Sequence, residues 1–212
     1  MYKYVLFDFD GTVYDTVEGI TKSVQYALAK HGIASELNEL RCFAGPPLVD
    51  KFMEVYSVSE DMAHQLVEDY RERYRPIGLL ECRLFDGMKE LITKLRERGI
   101  KTAITTMKPQ EMAEMLLERE GMIPLFDVIY GSSLSQNVSK QKLVEMAMDT
   151  LGADKEETIL VGDTKYDVHG AHQAGIAAVG VRYGYAAENE LEDAGADFIV
   201  DTMQELEDFL LK

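Results

Sequence analysis

Tyr4-Val5-Leu6-Phe7-Asp8-Phe9-Asp10-Gly11-Thr12 decides how this chain is read. The run Tyr4–Phe9 has the length and the branched and aromatic content of a buried strand. It ends on two carboxylates at alternate residues, and Gly11 permits a tight exit turn. A plain strand closing in an Asp-Gly turn would look the same. A calcium loop would not, because the spacing of its alternating Asp/Asn ligands fails here and no helix precedes it.

Outward from that stretch, similar short runs recur at Lys101–Thr106, Asp127–Tyr130, Thr158–Val161, Ala177–Val181 and Asp197–Val200. Between them the apolar period lengthens. Met88, Leu91, Ile92 and Leu95 share one helical face before Gly99, and Leu143, Val144, Ala147 and Leu151 share another before Gly152. Strands alternating with helices predict βαβ units, a parallel sheet and the α/β class. One interval is too long for that rhythm. A βαβ unit takes a little over ~30 residues, yet the second strand begins only at Lys101.

Roughly 70 residues are therefore inserted, and they read as helices. Val17, Ile20, Val24, Ala27 and Leu28 form one stripe, and Ser59–Tyr74 forms a second, more polar helix. The expected organisation is a Rossmann-like core of residues 1–15 and 86–212 with an all-α cap over residues 16–85. The insertion opens directly after the first strand, where α/β proteins bind ligands, so it reads as a lid rather than a decoration.

A second acidic pair follows another strand, in Gly162-Asp163-Thr164-Lys165-Tyr166-Asp167, where Asp167 is also placed to cap a helix. A third strand ends in Thr105-Thr106-Met107-Lys108-Pro109. In one parallel sheet these carboxyl ends share an edge. Asp8, Asp10, Asp163 and Asp167 would there repel one another unless a cation joined them. An all-oxygen set without a His/Cys cluster selects a hard ion, Mg²⁺ before Zn²⁺, and such an ion is commonly shared with a substrate phosphate. A lysine should help to neutralise that phosphate. In Asn137-Val138-Ser139-Lys140-Gln141-Lys142, Lys140 shares the inward face of Leu143, Val144 and Ala147, whereas Lys142 turns toward solvent.

Composition narrows the partners. The 212 residues carry 22 Lys+Arg against 38 Asp+Glu, a formal charge of −16. Such an acidic balance excludes a basic nucleic-acid footprint and disfavours anionic membranes. No apolar run approaches the ~20 residues of a spanning helix, and MYKYVLFDFD lacks the parts of a signal peptide. Cys42 and Cys82, without CxxC spacing, predict core thiols in a reducing cytoplasm. Nine acids against Lys212 fall within residues 186–212, so half of the net charge follows the last motif. The partner expected is a small anion; the sequence is silent on subunit number.

DFDGT, a hydroxyl after a strand, a lysine, and then GDxxxD resemble, in order and spacing, the phosphatases of the haloacid dehalogenase superfamily over nearly the whole chain. Phe43-Ala44-Gly45-Pro46-Pro47-Leu48, the Thr-x-Lys-Pro run and Val181-Arg182-Tyr183-Gly184-Tyr185 resemble its phosphoglycolate phosphatase-like and bacterial 5′-nucleotidase-like branch. The resemblance implies a magnesium-dependent phosphomonoesterase for a small phosphorylated metabolite, phosphoglycolate or a nucleoside monophosphate. It implies Asp8 as nucleophile and Asp10 as general acid and then base. It implies Mg²⁺ held by Asp8, the Asp10 carbonyl and Asp163, with Asp167 in support. Thr106 and Lys140 would hold the phosphoryl oxygens. Gly11, Thr12, Met107 and Lys108, with Arg41 and Gly45 from the cap, would contact substrate. Two departures stand out: Met107 replaces a polar residue, and no proline follows Lys140. The alternatives are a β-phosphoglucomutase-like phosphotransferase and a non-catalytic phospho-acceptor or binding module.

Other features are read as structural. His169 and His172 lack a third ligand, and His31 and His64 have no partner by spacing. Arg71, Arg73 and Arg75, interleaved with Tyr70 and Tyr74, read as a solvated helix face. Met112, Met115 and Met146 read as filling seams of core and cap.

Overall fold

The computed structural model describes residues 2–133 and 138–212. In chain order its elements are β1 (Tyr4–Phe7), β2 (Tyr14–Asp15), α1 (Val17–Lys30), α2 (Leu48–Tyr56), α3 (Glu60–Tyr74), β3 (Arg83–Leu84), α4 (Met88–Glu97), β4 (Lys101–Pro109) and α5 (Gln110–Arg119). There follow β5 (Val128–Ser132), α6 (Lys140–Leu151), β6 (Thr158–Gly162), α7 (Lys165–Ala174), β7 (Ala177–Val181), α8 (Glu190–Asp193), β8 (Phe198–Val200) and α9 (Met203–Leu210). Six strands form one sheet in the order β5-β4-β1-β6-β7-β8, all of its pairs parallel, and β2 and β3 form a two-stranded sheet. The chain divides into two compact units, Met1–Tyr14 with Leu84–Lys212, and Asp15–Arg83.

In the first unit the central strand is apolar on both faces, as a parallel sheet covered by helices requires. Val5, Leu6 and Phe7 are fully buried, with β4 on one side and β6 on the other. Leu6, Leu160, Val144, Ala147, Val168 and Ala171 belong to one core cluster. Each fully buried leucine or valine among them contributes about 1.5–3 kcal/mol. Helix α6 starts where the Ser139 hydroxyl accepts from Lys142 N at 3.2 Å and stops at Gly152, whose φ of +62° suits a residue without Cβ. Its buried face carries Leu143, Val144 and Ala147, and Lys140 is buried with them while Lys142 is exposed.

The second unit packs α1 against α3 and a 3-10 turn at Gly78–Leu80. A Cβ on Gly19 would lie 1.9 Å from Gly78 O, so this approach needs glycine. Several expectations are corrected here. Tyr70 and Tyr74 are buried and stacked, with ring centroids 4.9 Å apart, and Arg73 donates to Glu81 at 2.8 and 3.1 Å and to Ser23 Oγ. Arg73, Tyr70 and Tyr74 are thus packed rather than solvated, because Arg73 found a carboxylate eight residues on, past the helix end, whereas Arg75 is exposed and Arg71 pairs with Glu68 at the surface. His31 has a partner, with Nε2 2.7 Å from Asp69 Oδ2, supplied by a neighbouring helix that spacing could not show. Cys42 is exposed and Cys82 half-buried, so neither is a core thiol; each instead donates to a carbonyl three residues back. Met115, on α5, is exposed rather than seated in a seam. Among the described residues no helix is long and apolar enough to cross a membrane.

Candidate active site

The site lies in the first unit, at the carboxyl ends of β1, β4 and β6. The first strand is shorter than the apolar run suggests and stops at Phe7, although Asp8 N still donates to Val161 O at 2.8 Å. The chain then coils. Phe9 O accepts from Val13 N and Tyr14 N, both at 2.9 Å, and the Phe9 and Tyr14 rings stack at 4.8 Å. Gly11 sits in this coil at φ +81°, and a Cβ there would fall 2.0 Å from Asp163 Oδ2. The glycine thus serves both the turn and the approach of an acid from β6.

Asp163 is fully buried. Its Oδ1 accepts from the Thr12 hydroxyl at 3.2 Å and its Oδ2 from Tyr185 N at 2.8 Å. Thr12, expected against substrate, therefore holds a carboxylate. Four residues on, Asp167 has two tasks. Its Oδ2 accepts from Asp163 N, Thr164 N and the Thr164 hydroxyl at 2.9–3.2 Å, capping α7, while Oδ1 lies 2.7 Å from Lys140 Nζ. Capping and ion pairing coexist because the two oxygens face different ways.

Lys140 closes the group. Its ammonium lies 2.5 Å from Asp8 Oδ1, 2.7 Å from Asp167 Oδ1 and 2.8 Å from Thr105 O. An ammonium has three N–H donors, and these three acceptors use them all. Burial alone would lower the Lys140 pKa, but Asp167 and Asp8 outweigh it and raise it. Asp8 moves up to about 7: burial is the main cause, Lys140 opposes it, and Asp167 and Asp10 add to it. Asp163 is raised as well, by burial and then by Asp167 and Asp8, against the hydrogen bonds from Tyr185 and Thr12.

Asp10 is not in that group. Its carboxylate lies on Lys108 Nζ, at 2.9 and 3.2 Å. Lys108, expected against substrate, is thus engaged with an acid. Thr106 is buried, and its hydroxyl accepts from Lys108 N at 3.1 Å. Met107 between them is 39% exposed. Arg41 and Gly45 belong to the other unit and are exposed, Gly45 at φ +104°. Asn137, in the lysine-bearing run, lies outside the described residues.

The loop after β7, which in the sequence carries only a family resemblance, supplies contacts to the site. Tyr185 N is the backbone donor to Asp163, and a Cβ on Gly184 would lie 2.3 Å from Asp163 Cβ. The Tyr183 hydroxyl donates to Thr12 O at 3.2 Å, and its ring meets Phe85 edge-on at 4.9 Å. Burial and then Asp163 push the Tyr183 phenol above its ordinary value. A glycine between two tyrosines directly after a strand was the available signal.

One carboxylate oxygen from each of Asp8, Asp163 and Asp167 lies within 4.8 Å of the others. Among the described residues, counting Asp10, four carboxyls face two ammonium groups, Lys108 and Lys140, so the fully ionised group would carry two negative charges in excess. A hard oxygen donor set with that excess, and with two of its carboxyls forced upward, fits one divalent cation of the Mg²⁺ type.

Similarity to known proteins points to one family. The model for haloacid dehalogenase-like hydrolases matches residues 5–181. A 5′-nucleotidase of Pseudomonas aeruginosa is 41% identical over 192 residues, covering 90% of this chain and 87% of that protein. The pyrophosphatase PpaX of Halalkalibacterium halodurans is 32% identical over 209 residues, covering 97% and 95%. A crystal structure described as a predicted phosphatase from Clostridium acetobutylicum superposes with a TM-score of 0.93 at 38% identity, covering 100% of this chain and 99% of that one.

Proposed function

The chain belongs to the haloacid dehalogenase-like hydrolases and is a phosphatase of small phosphorylated molecules, and from that premise we propose that it hydrolyses phosphomonoesters through an aspartyl-phosphate on Asp8. The Asp8 carboxylate attacks phosphorus as the bond to the leaving oxygen breaks, and the Asp10 carboxyl gives that oxygen its proton. Asp10 then takes a proton from water, whose oxygen attacks phosphorus. The bond to Asp8 breaks, inorganic phosphate leaves, and the Asp8 carboxylate is restored. Lys140 and the Thr106 hydroxyl neutralise and orient the phosphoryl oxygens, which is where phosphoryl transfer gains most.

Mg²⁺ would be held by Asp8, Asp163 and the Asp10 carbonyl, with Asp167 in support. When bound it offsets the charge of phosphate and of the acids around it. The observation that carries this reading is the Lys140 ammonium bridging Asp8 and Asp167 beside Asp163, with the Asp8 carboxyl pushed to about 7. So costly a concentration of buried charge favours chemistry over a binding module.

The substrate proposed is a nucleoside 5′-monophosphate, on the strength of the 41% identical 5′-nucleotidase. Phosphoglycolate is the second choice. A panel of nucleoside monophosphates, 2-phosphoglycolate and pyrophosphate, ranked by kcat/KM with Mg²⁺, tests this. Preference for the anhydride would overturn the monoester reading. Return of the phosphoryl group to a sugar phosphate, rather than to water, would replace hydrolase with mutase.

A further inference from the structure

Lys108 is buried in a way that the fold does not require. Strand β4 pairs evenly with β5 from Ala103↔Val128 to Thr106↔Gly131, and the next pair is Pro109↔Ser132. Three steps along β4 thus match one step along β5, so Met107 and Lys108 form a bulge at the edge of the site. Bulges beside active sites re-aim side chains. Here the result is a sharp contrast between neighbours. Met107 is 39% exposed, whereas the Lys108 side chain is 4% exposed and its backbone N–H is pinned to the Thr106 hydroxyl.

The ammonium is aimed at Asp10. It reaches both carboxylate oxygens, at 2.9 and 3.2 Å, and lies 5.8 Å from the centre of the Phe9 ring. Lys140 differs, since its bonds go to three acceptors on three segments and tie them together. Two bonds to one carboxylate instead fix its plane and its rotation. A buried ion pair also contributes little net stability over an apolar pair of the same volume. Stability therefore does not account for a lysine here, and orientation of Asp10 does.

We infer that Lys108 is a positioning residue for Asp10, holding its carboxylate in the orientation used for both proton transfers and taking part in the reaction through Asp10. The inference rests on the reading of Asp10 as proton carrier given above. Proton delivery matters only when the leaving oxygen is a poor one, and this separates a positioning role from a phosphate contact. A phosphate contact would serve every ester alike.

The test compares kcat/KM for p-nitrophenyl phosphate, which expels a good leaving group, with phenyl phosphate, which expels a poor one. Lys108→Met should lose about 100-fold on phenyl phosphate and no more than about threefold on p-nitrophenyl phosphate. Lys108→Arg, which keeps two donors for a carboxylate, should recover a large part of the loss, and it also serves should the methionine variant fail to fold. The double variant Asp10→Asn/Lys108→Met should be no slower than Asp10→Asn alone. Equal losses on the two esters, a raised KM at unchanged kcat, or additive losses in the double variant would each overturn the inference and make Lys108 a substrate contact. If Asp10→Asn itself shows no dependence on the leaving group, it is the Asp10 reading that falls.

Discussion

Two clusters of charge in this molecule, one at the surface around the buried Asp69 and one buried at the sheet edge, are built from similar parts and arrive at opposite balances. In the helical unit, Asp69 pairs with Lys30 and His31, while Glu72 accepts from Lys30 at 2.6 Å and from the Tyr26 hydroxyl at 2.7 Å. Burial raises the Asp69 carboxyl, but the hydrogen bonds from Lys30 and His31 outweigh it and hold the group below its ordinary value. At the sheet edge, Lys140 serves Asp8 and Asp167 beside a third acid, and two carboxyls are driven up. Donors keep pace with acids in the first cluster and fall short in the second. A balanced cluster holds helices together; an unbalanced one suits a cation, and is the signature of a site rather than of a strut.

The hardest blow to this contrast comes from Asp8→Asn. It should cost about a thousandfold or more in turnover of p-nitrophenyl phosphate, with the circular dichroism of the parent retained. Activity within about tenfold of the parent would remove Asp8 as nucleophile. Next is the lysine pair. Lys140→Met strands buried acids, so about 100-fold in kcat and about 3 kcal/mol of stability should go together. Lys142→Met should stay within about twofold, since surface charges matter little. Comparable losses at both positions would mean that the buried lysine has no special part.

A smaller effect follows from the pH dependence of the metal-free protein. With its carboxyl raised from 3.8 to about 7, folded Asp8 keeps a proton that the unfolded chain releases. Through Asp8, stability should therefore fall as pH rises from about 4 to about 7, and Asp163, whose carboxyl is raised too, adds to the fall. In EDTA the Tm should decline across that window, and saturating Mg²⁺ should flatten the decline. Equal slopes with and without Mg²⁺ would contradict a cation at the acid cluster. Smallest of all, Asp69→Asn should cost about 1–2 kcal/mol, because Lys30 is partly exposed and its pairing is screened. Turnover of p-nitrophenyl phosphate should hold within about twofold, and a large loss there would erase the contrast between the clusters.

Features of local period were legible in the sequence. The alternation of short apolar runs with helical stripes implied the parallel sheet, and helical phase alone separated Lys140, on the inward face of α6, from Lys142. Boundaries were less so: β1 stops two residues early because the coil after Phe7 begins at once, and β4 runs on to Pro109 through a bulge. Pairings between distant residues were not legible. Lys108 meets an acid 98 positions away, Tyr185 reaches Asp163 from the loop after β7, and His31 finds Asp69 on another helix. These depend on packing, which a one-dimensional period does not encode. Cys42 runs against expectation because a free cysteine is ordinarily buried, whereas here it falls on the outer side of a short 3-10 turn.

The position of β1 has a consequence for synthesis. It precedes its sheet partners β4 and β6 in the chain and is also an inner strand of the finished sheet, with Tyr4 paired to Lys101 on one side and to Thr158 on the other. Until β4 and β6 have been made, Val5, Leu6 and Phe7 have only part of their final surroundings, so the nascent chain carries an unpaired apolar edge of the kind that chaperones shield. Nor can Asp8 meet Asp163 until β6 and the residues just after it have been made. A nascent fragment that carries the first acidic motif without the second therefore lacks the acid cluster, which closes only once β6 has joined the sheet.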